Sequence, residues 1–206
     1  MLIPKYNAFF FHTPKTGGTS IEIFFLNNDN IPVDHHELSQ HLNRQQKNNY
    51  IISTRVPSFR YESQHITCEA MMQDSRWQTV KYSFTTVRNP YDRVISEWKW
   101  LNQRMKKNYN LDQVIAMYEN PTGAHFIPQW KYAYKDDIKI VDDVFKLENL
   151  KEAEQKLSDV FNIEVSLSHY NKSDREKNYR SYFDEQQLSR LKNILKKDCE
   201  LFEYEY

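Results

Sequence analysis

Apolar residues along this chain fall into short runs, and polar breaks separate them at spacings that suit alternating strands and helices. Asn7–His12 carries Phe9, Phe10 and Phe11 without interruption, which predicts a first strand buried on both faces. A polar turn follows, and Ser20 to Leu26 then reads as a helix ended by Asn27-Asn28-Asp29-Asn30. His35–Arg44 predicts a short helix and Tyr50–Thr54 a second strand, before Pro57 breaks the pattern. Glu62–Met72 reads as a helix with a mixed face, and Val80–Val87 as a clear strand. Asn89-Pro90 opens the helical pattern Tyr91–Gln103, where a proline suits the first turn because its missing N–H would be unpaired there anyway. Asp92 then sits near the positive end of that helix. Leu111–Tyr118 is a further short helix, closed by Asn120-Pro121-Thr122-Gly123, Ile138–Leu147 is extended, and Asn149–Phe161 is helical. In the last helix, Asp184 to Cys199, Asp184 caps and Gln187 takes the third position after it. Leu188, Leu191, Leu195 and Cys199 form its apolar stripe. Strands separated by helices predict an α/β chain with a mostly parallel sheet, and residues 1–206 as one domain.

Composition narrows the partners. With 206 residues, 39% of them hydrophobic and 15% aromatic, the chain can fill a sizeable core. Lys and Arg (28) balance Asp and Glu (28), so wholesale binding to nucleic acid or an anionic membrane is not expected, while a local basic pocket is compatible with the balance. Cys68 and Cys199 stand far apart and read as reduced thiols rather than a disulfide framework or a metal motif. No apolar run approaches the roughly 18 residues of a membrane span. The first residues are too polar for a signal peptide, so a cytoplasmic protein is expected.

Two strand-to-helix turns carry candidate chemistry. In the first, Pro14-Lys15-Thr16-Gly17-Gly18-Thr19-Ser20, two of the three glycines of the chain stand together. A strand, a tight turn and a helix bring backbone N–H groups toward one point, and the helix dipole adds positive charge there. Lys15 can add a full charge, and Thr16, Thr19 and Ser20 hydroxyl donors; the set suits phosphate-like oxygens. Lys15 precedes the glycines, which sets the turn apart from the Gly-Lys-Ser/Thr order of a nucleotide-kinase loop. In the second turn, Val87-Arg88-Asn89-Pro90-Tyr91-Asp92-Arg93 leads to Ser96. Arg88 falls at a strand end, where an open α/β sheet places ligands, and its planar fork suits a second phosphate together with the Ser96 hydroxyl. Arg93 reads equally as a ligand or as a salt-bridge partner.

The two motifs in this order resemble the sulfotransferases that use 3′-phosphoadenylyl sulfate (PAPS). The likeness is to the carbohydrate branch that includes heparan sulfate and chondroitin enzymes and small bacterial relatives. It continues through Pro128-Gln129, Phe145–Leu150 and Asn171-Lys172-Ser173 to the last helix. The resemblance implies a three-layer, P-loop-like fold with a central, mostly parallel sheet flanked by helices, in which Lys15, Thr16, Gly17, Gly18, Thr19 and Ser20 hold the 5′-phosphosulfate and Arg88 and Ser96 hold the 3′-phosphate. It also implies that Lys172 and Ser173 lie in a segment closing over the nucleotide. PAPS would be the donor and PAP the product, with no metal, and the acceptor a carbohydrate or other hydroxyl-bearing molecule. Lys15 would stabilise leaving-group charge in an in-line displacement.

The acceptor hydroxyl needs a base, and imidazole titrates near neutrality. His12, His35, His36, His41, His65, His125 and His169 are the candidates. His65 comes first because Ser63-Gln64-His65-Ile66-Thr67 occupies the place of a histidine in the bacterial relatives, between the phosphate motifs. His35 and His36 are the alternatives. Ile31–Arg60 and Asn102–Lys135 form the expected acceptor wall. Arg55, Arg60, Arg104, Lys106 and Lys107 would attract an anionic sugar, and Trp98, Trp100, Trp130 and Tyr132 would stack on sugar faces. Competing readings are a protein-tyrosine or small-alcohol sulfotransferase, a small-molecule kinase, and a non-catalytic nucleotide-binding protein.

Overall fold

Alternation along the phenylalanine run divides the core into two faces. The computed structural model describes residues 1–31, 63–168 and 178–206. The helix expected at His35–Arg44, the strand at Tyr50–Thr54 and the segment holding Lys172 and Ser173 lie outside the described residues. Among those described, the strands are β1 (Leu2–Ile3), β2 (Ala8–Phe11), β3 (Tyr82–Val87), β4 (Tyr134–Lys135), β5 (Ile138–Lys139) and β6 (Asp143–Lys146). The main sheet is ordered β1-β2-β3-β6. β1 runs antiparallel to β2, while β2–β3 and β3–β6 are parallel, so the sheet is mixed. Phe11 pairs with Thr85 and Val87 with Lys146, which aligns the carboxyl ends of the three parallel strands along one edge.

Among the described residues the helices are α1 (Gly18–Asn28), α2 (Cys68–Met71), α3 (Pro90–Gln103), α4 (Leu111–Glu119), α5 (Leu150–Phe161), α6 (Glu185–Ile194) and α7 (Lys196–Phe202). Phe10 and Phe84, with ring centroids 5.1 Å apart, pack beneath α1 and α5 with Ile21, Phe25, Leu157 and Phe161. Phe9 and Phe11 turn to the opposite face, among Met71, Tyr132, Val141 and Phe202. Helical layers therefore cover the sheet on both sides, and burying each of these rings contributes roughly 1.5–3 kcal/mol. A third cluster joins α3, α4 and α6 through Val94, Ile95, Val114, Ile115 and Leu191.

Local signals explain most boundaries. Asn89 caps α3 by accepting from the N–H groups of Tyr91 (3.1 Å) and Asp92 (3.3 Å), and Pro90 occupies the first turn as expected. Asp184 and Gln187 form the reciprocal capping box of α6. Two expected helices differ. Glu62–Met72 is not continuous: after a short 3₁₀ turn at Ser63–His65, Ile66 is buried and Thr67 caps α2 afresh, accepting from the N–H of Ala70. The last helix divides at Leu195 (φ −94°, ψ 0°) because its halves answer to different partners. Arg190 ties α6 to Glu119 and Asp112, whereas the buried Asp198 carboxylate of α7 accepts from the N–H groups of Gln129 (3.0 Å) and Trp130 (2.8 Å). Cys68 and Cys199 are free thiols. Among the described residues no helix is long and apolar enough to cross a membrane.

Candidate active site

The Pro14–Ser20 turn leaves the carboxyl end of β2 and enters α1 at the aligned edge of the sheet. Its backbone is left-handed at Lys15 (φ 68°) and at Gly17 (φ 82°). Left-handed residues set between ordinary ones are the backbone pattern by which a turn can point successive N–H groups to one side at a helix start. The two glycines have different tasks. Gly17 supplies the positive φ, and a Cβ there would also meet Leu147 Cδ1 at 2.7 Å. At Gly18 a Cβ would lie 2.2 Å from His12 Cδ2 and 2.5 Å from Nε2, so its hydrogen is what lets the imidazole lie against the loop. Glu22 anchors that imidazole at 3.0 Å, so it cannot yield freely. Gly18→Ala is therefore expected to cost about 1–3 kcal/mol and lower the thermal melting temperature. An unshifted melt would mean that His12 swings aside.

Threonines tie this loop to β3. Thr85 Oγ1 donates to the Phe11 carbonyl (2.7 Å), which leaves Thr13 Oγ1 to donate to Thr85 (2.9 Å). Thr16 Oγ1 donates to the Thr13 carbonyl (2.7 Å) and lies 2.8 Å from Thr86 Oγ1. The Thr16 hydroxyl is thus engaged inside the fold, and its backbone N–H is what it has for a ligand. Among the described residues the hydroxyls of Thr19, Ser20 and Ser96 have no hydrogen-bond partner.

Arg88 stands at the end of β3, with Gln129 bracketing its backbone: the Gln129 side chain accepts from Arg88 N–H (2.9 Å) and donates to its carbonyl (2.8 Å). The guanidinium donates through Nε to Asp92 (2.7 Å) and through Nη1 to the Lys15 carbonyl (3.3 Å). The two strand-to-helix turns are therefore in direct contact. Burial raises the Asp92 carboxyl, and Arg88 opposes that rise. Among the described residues Arg93 is held by backbone carbonyls rather than by a salt bridge. It is buried, donating through Nε to the Pro14 carbonyl (3.0 Å) and through Nη2 to the His125 carbonyl (2.8 Å).

Lys15 Nζ lies 5.2 Å from the ring centre of Trp100. Burial lowers the ammonium to about 8; Glu97 partly offsets this, and Arg88, Arg104 and Arg93 add to the lowering. Beside the loop three imidazoles stand in a row, His65 between His12 (centroids 4.6 Å apart) and His125 (5.1 Å). A buried glutamate holds each outer ring: Glu22 pairs with His12 at 3.0 Å and Glu97 with His125 at 2.9 Å. Burial would raise the Glu22 carboxyl, but His12 and the Gln64 amide, which donates to it at 2.7 Å, hold it below the ordinary value. His65 Nδ1 lies 2.8 Å from the His12 carbonyl. A carbonyl only accepts, so Nδ1 carries the proton and Nε2 keeps its lone pair. Burial, then His12 and His125, push His65 well below 6.5.

The structure thus gathers Lys15 to Ser20, Arg88 and His65 at one end of the sheet; His35, His36, Lys172 and Ser173 lie outside the described residues. The rings expected to stack on sugars are already engaged. Tyr132 is fully buried, Trp98 donates to the Tyr109 carbonyl (2.7 Å), Trp130 lies under Lys197 (3.9 Å), and Trp100 meets His125 and Lys15. The Glu97–His125 pair is hidden in the sequence: Glu97 sits among ordinary polar positions of a helix, and 28 residues separate it from His125. The helical position of Glu97, on the side of α3 that carries Arg93, is the one usable signal.

A family model described as the sulfotransferase family matches residues 1–205. No curated protein matches the chain.

Proposed function

The chain belongs to the sulfotransferase family, and from that premise we propose that it transfers a sulfuryl group from PAPS to a hydroxyl of a carbohydrate acceptor. The observation that carries this reading is the loop itself: a left-handed turn with a lysine, entering a helix and touching Arg88 through the Lys15 carbonyl. The donor set fits a nucleotide with phosphates at both ends. Backbone N–H groups of the loop, Lys15 and the hydroxyls of Thr19 and Ser20 suit the 5′-phosphosulfate, and Arg88 with Ser96 suits the 3′-phosphate.

In the reaction so read, a sulfur–oxygen bond forms to the acceptor oxygen. The sulfur–oxygen bond to the bridging phosphate oxygen breaks, and its electron pair leaves on that oxygen. Lys15 and the loop N–H groups stabilise the charge that develops there. His65 takes the hydroxyl proton on Nε2, whose lone pair the His12 carbonyl has secured by engaging Nδ1. A tyrosyl or small-alcohol acceptor is the second reading. One observation favours it: Trp98, Trp100, Trp130 and Tyr132 are occupied within the protein.

Titration calorimetry tests the donor site. The protein is expected to bind PAP in preference to ATP. Arg88→Ala is expected to weaken PAP about tenfold or more, the scale of a charge-assisted hydrogen bond, with much less effect on adenosine 5′-phosphosulfate, which lacks the 3′-phosphate. Tight ATP binding without PAP binding would overturn the donor assignment. Equal weakening of both nucleotides would reduce Arg88 to a brace for the loop.

A further inference from the structure

Glu97 has no part in the nucleotide contacts or the proton step described above, yet its carboxylate is fully buried on α3. A buried charge is costly unless a partner holds it. Here both carboxylate oxygens face His125 Nδ1, at 2.9 and 3.1 Å. The His125 side chain keeps 28% of its surface, against 6% for His12, so it is the open end of the histidine row. Its ring stacks on Trp100 (4.8 Å, 23°), the indole that Lys15 Nζ approaches. Arg93 joins the backbone of His125 to that of Pro14, which sets the histidine in register with the anion loop.

We infer that His125 is a further catalytic residue of the sulfuryl-transfer site, reaching the transferred oxygens through Nε2, with Glu97 as its positioning residue. The inference rests on the sulfuryl-transfer reading. In the contact so inferred, Nδ1–H stays on the Glu97 carboxylate, and the imidazolium form of His125 donates Nε2–H to a sulfuryl oxygen. His125 makes no covalent bond and exchanges no proton; the bonds made and broken at sulfur, and the proton passed to His65, are those given above. The two imidazoles divide the work, His65 accepting the proton and His125 donating to the transferred group.

PAPS carries the sulfuryl group and PAP lacks it, so the ratio of their affinities reads this contact without any acceptor. Calorimetry with both nucleotides is expected to show His125→Asn losing about tenfold in PAPS affinity, the scale of a hydrogen bond to a charged group, while PAP affinity barely moves. Glu97→Gln should change the ratio in the same direction. His125→Gln places an amide donor near the former Nε2 and should keep more of the PAPS preference than His125→Asn, whose amide mimics Nδ1. A brace between helix and turn would give the reverse order, since it needs Nδ1. That order, an equal loss for both nucleotides, or no loss at all would overturn the inference while leaving the donor reading intact. Failure of the unaltered protein to bind PAP would instead remove the reading on which it rests.

Discussion

Lys15→Met is expected to slow sulfuryl transfer by roughly a hundred- to a thousandfold, the range for removing one preorganised group from developing charge. The side chain starts from a left-handed residue, so the loop backbone aims it, and Trp100 flanks its ammonium. Burial and the arginines leave it at about 8. The charged form is the useful one, so kcat/KM should hold below that pH and fall as the pH rises through it. Lys15→Arg keeps a cation throughout and should show no such fall in its residual activity. An alkaline limb that persists in Lys15→Arg would belong to another group. Linkage has the matching sign. The folded value lies below the unfolded 10.5, so the unfolded chain binds this proton more readily between about 8 and 10.5. The contribution of Lys15 to stability therefore rises with pH across that window, because burying the ammonium costs most where it is fully charged.

His65→Ala is expected to lower turnover by roughly a hundred- to ten-thousandfold, as for loss of a general base, with PAP affinity changed less than about twofold. Burial and the flanking His12 and His125 keep the ring neutral near pH 7, so the acid limb of kcat/KM should lie well below 6.5. Because the unfolded chain takes up this proton more readily, acidification below 6.5 should also destabilise the fold through His65. Single-turnover kinetics alongside calorimetry would separate the effects. A variant that loses PAP binding in step with turnover would make His65 a structural residue.

Signals that act over a few residues are legible in the chain itself. The apolar run at Phe9–Phe11 forms a strand, Asp184 and Gln187 form their box, and Pro90 sits in the first turn of its helix. These features need only period and capping chemistry. Features that local pattern misplaces depend on distant partners. The helix expected over Glu62–Met72 shrinks to four residues at its end, and Leu195 interrupts the last helix where Asp198 is drawn to Gln129 and Trp130. The site divides the same way. Lys15, Gly17, Gly18 and Arg88 stand out in the sequence because two strand-to-helix turns concentrate them. That the close approach at Gly18 is made by His12, and that the carboxylate beside His125 comes from Glu97, follows only from packing across the sheet edge.

Arg93 grips the Pro14 carbonyl with one nitrogen and the His125 carbonyl with another, and threonine hydroxyls lash the same loop to β3. Such a loop is moulded before its ligand arrives. On the proposed donor reading, little of the nucleotide's binding free energy would be consumed in ordering this part of the chain. The Pro14–Ser20 turn is thus braced from behind by a buried arginine, which ties it to the His125 backbone.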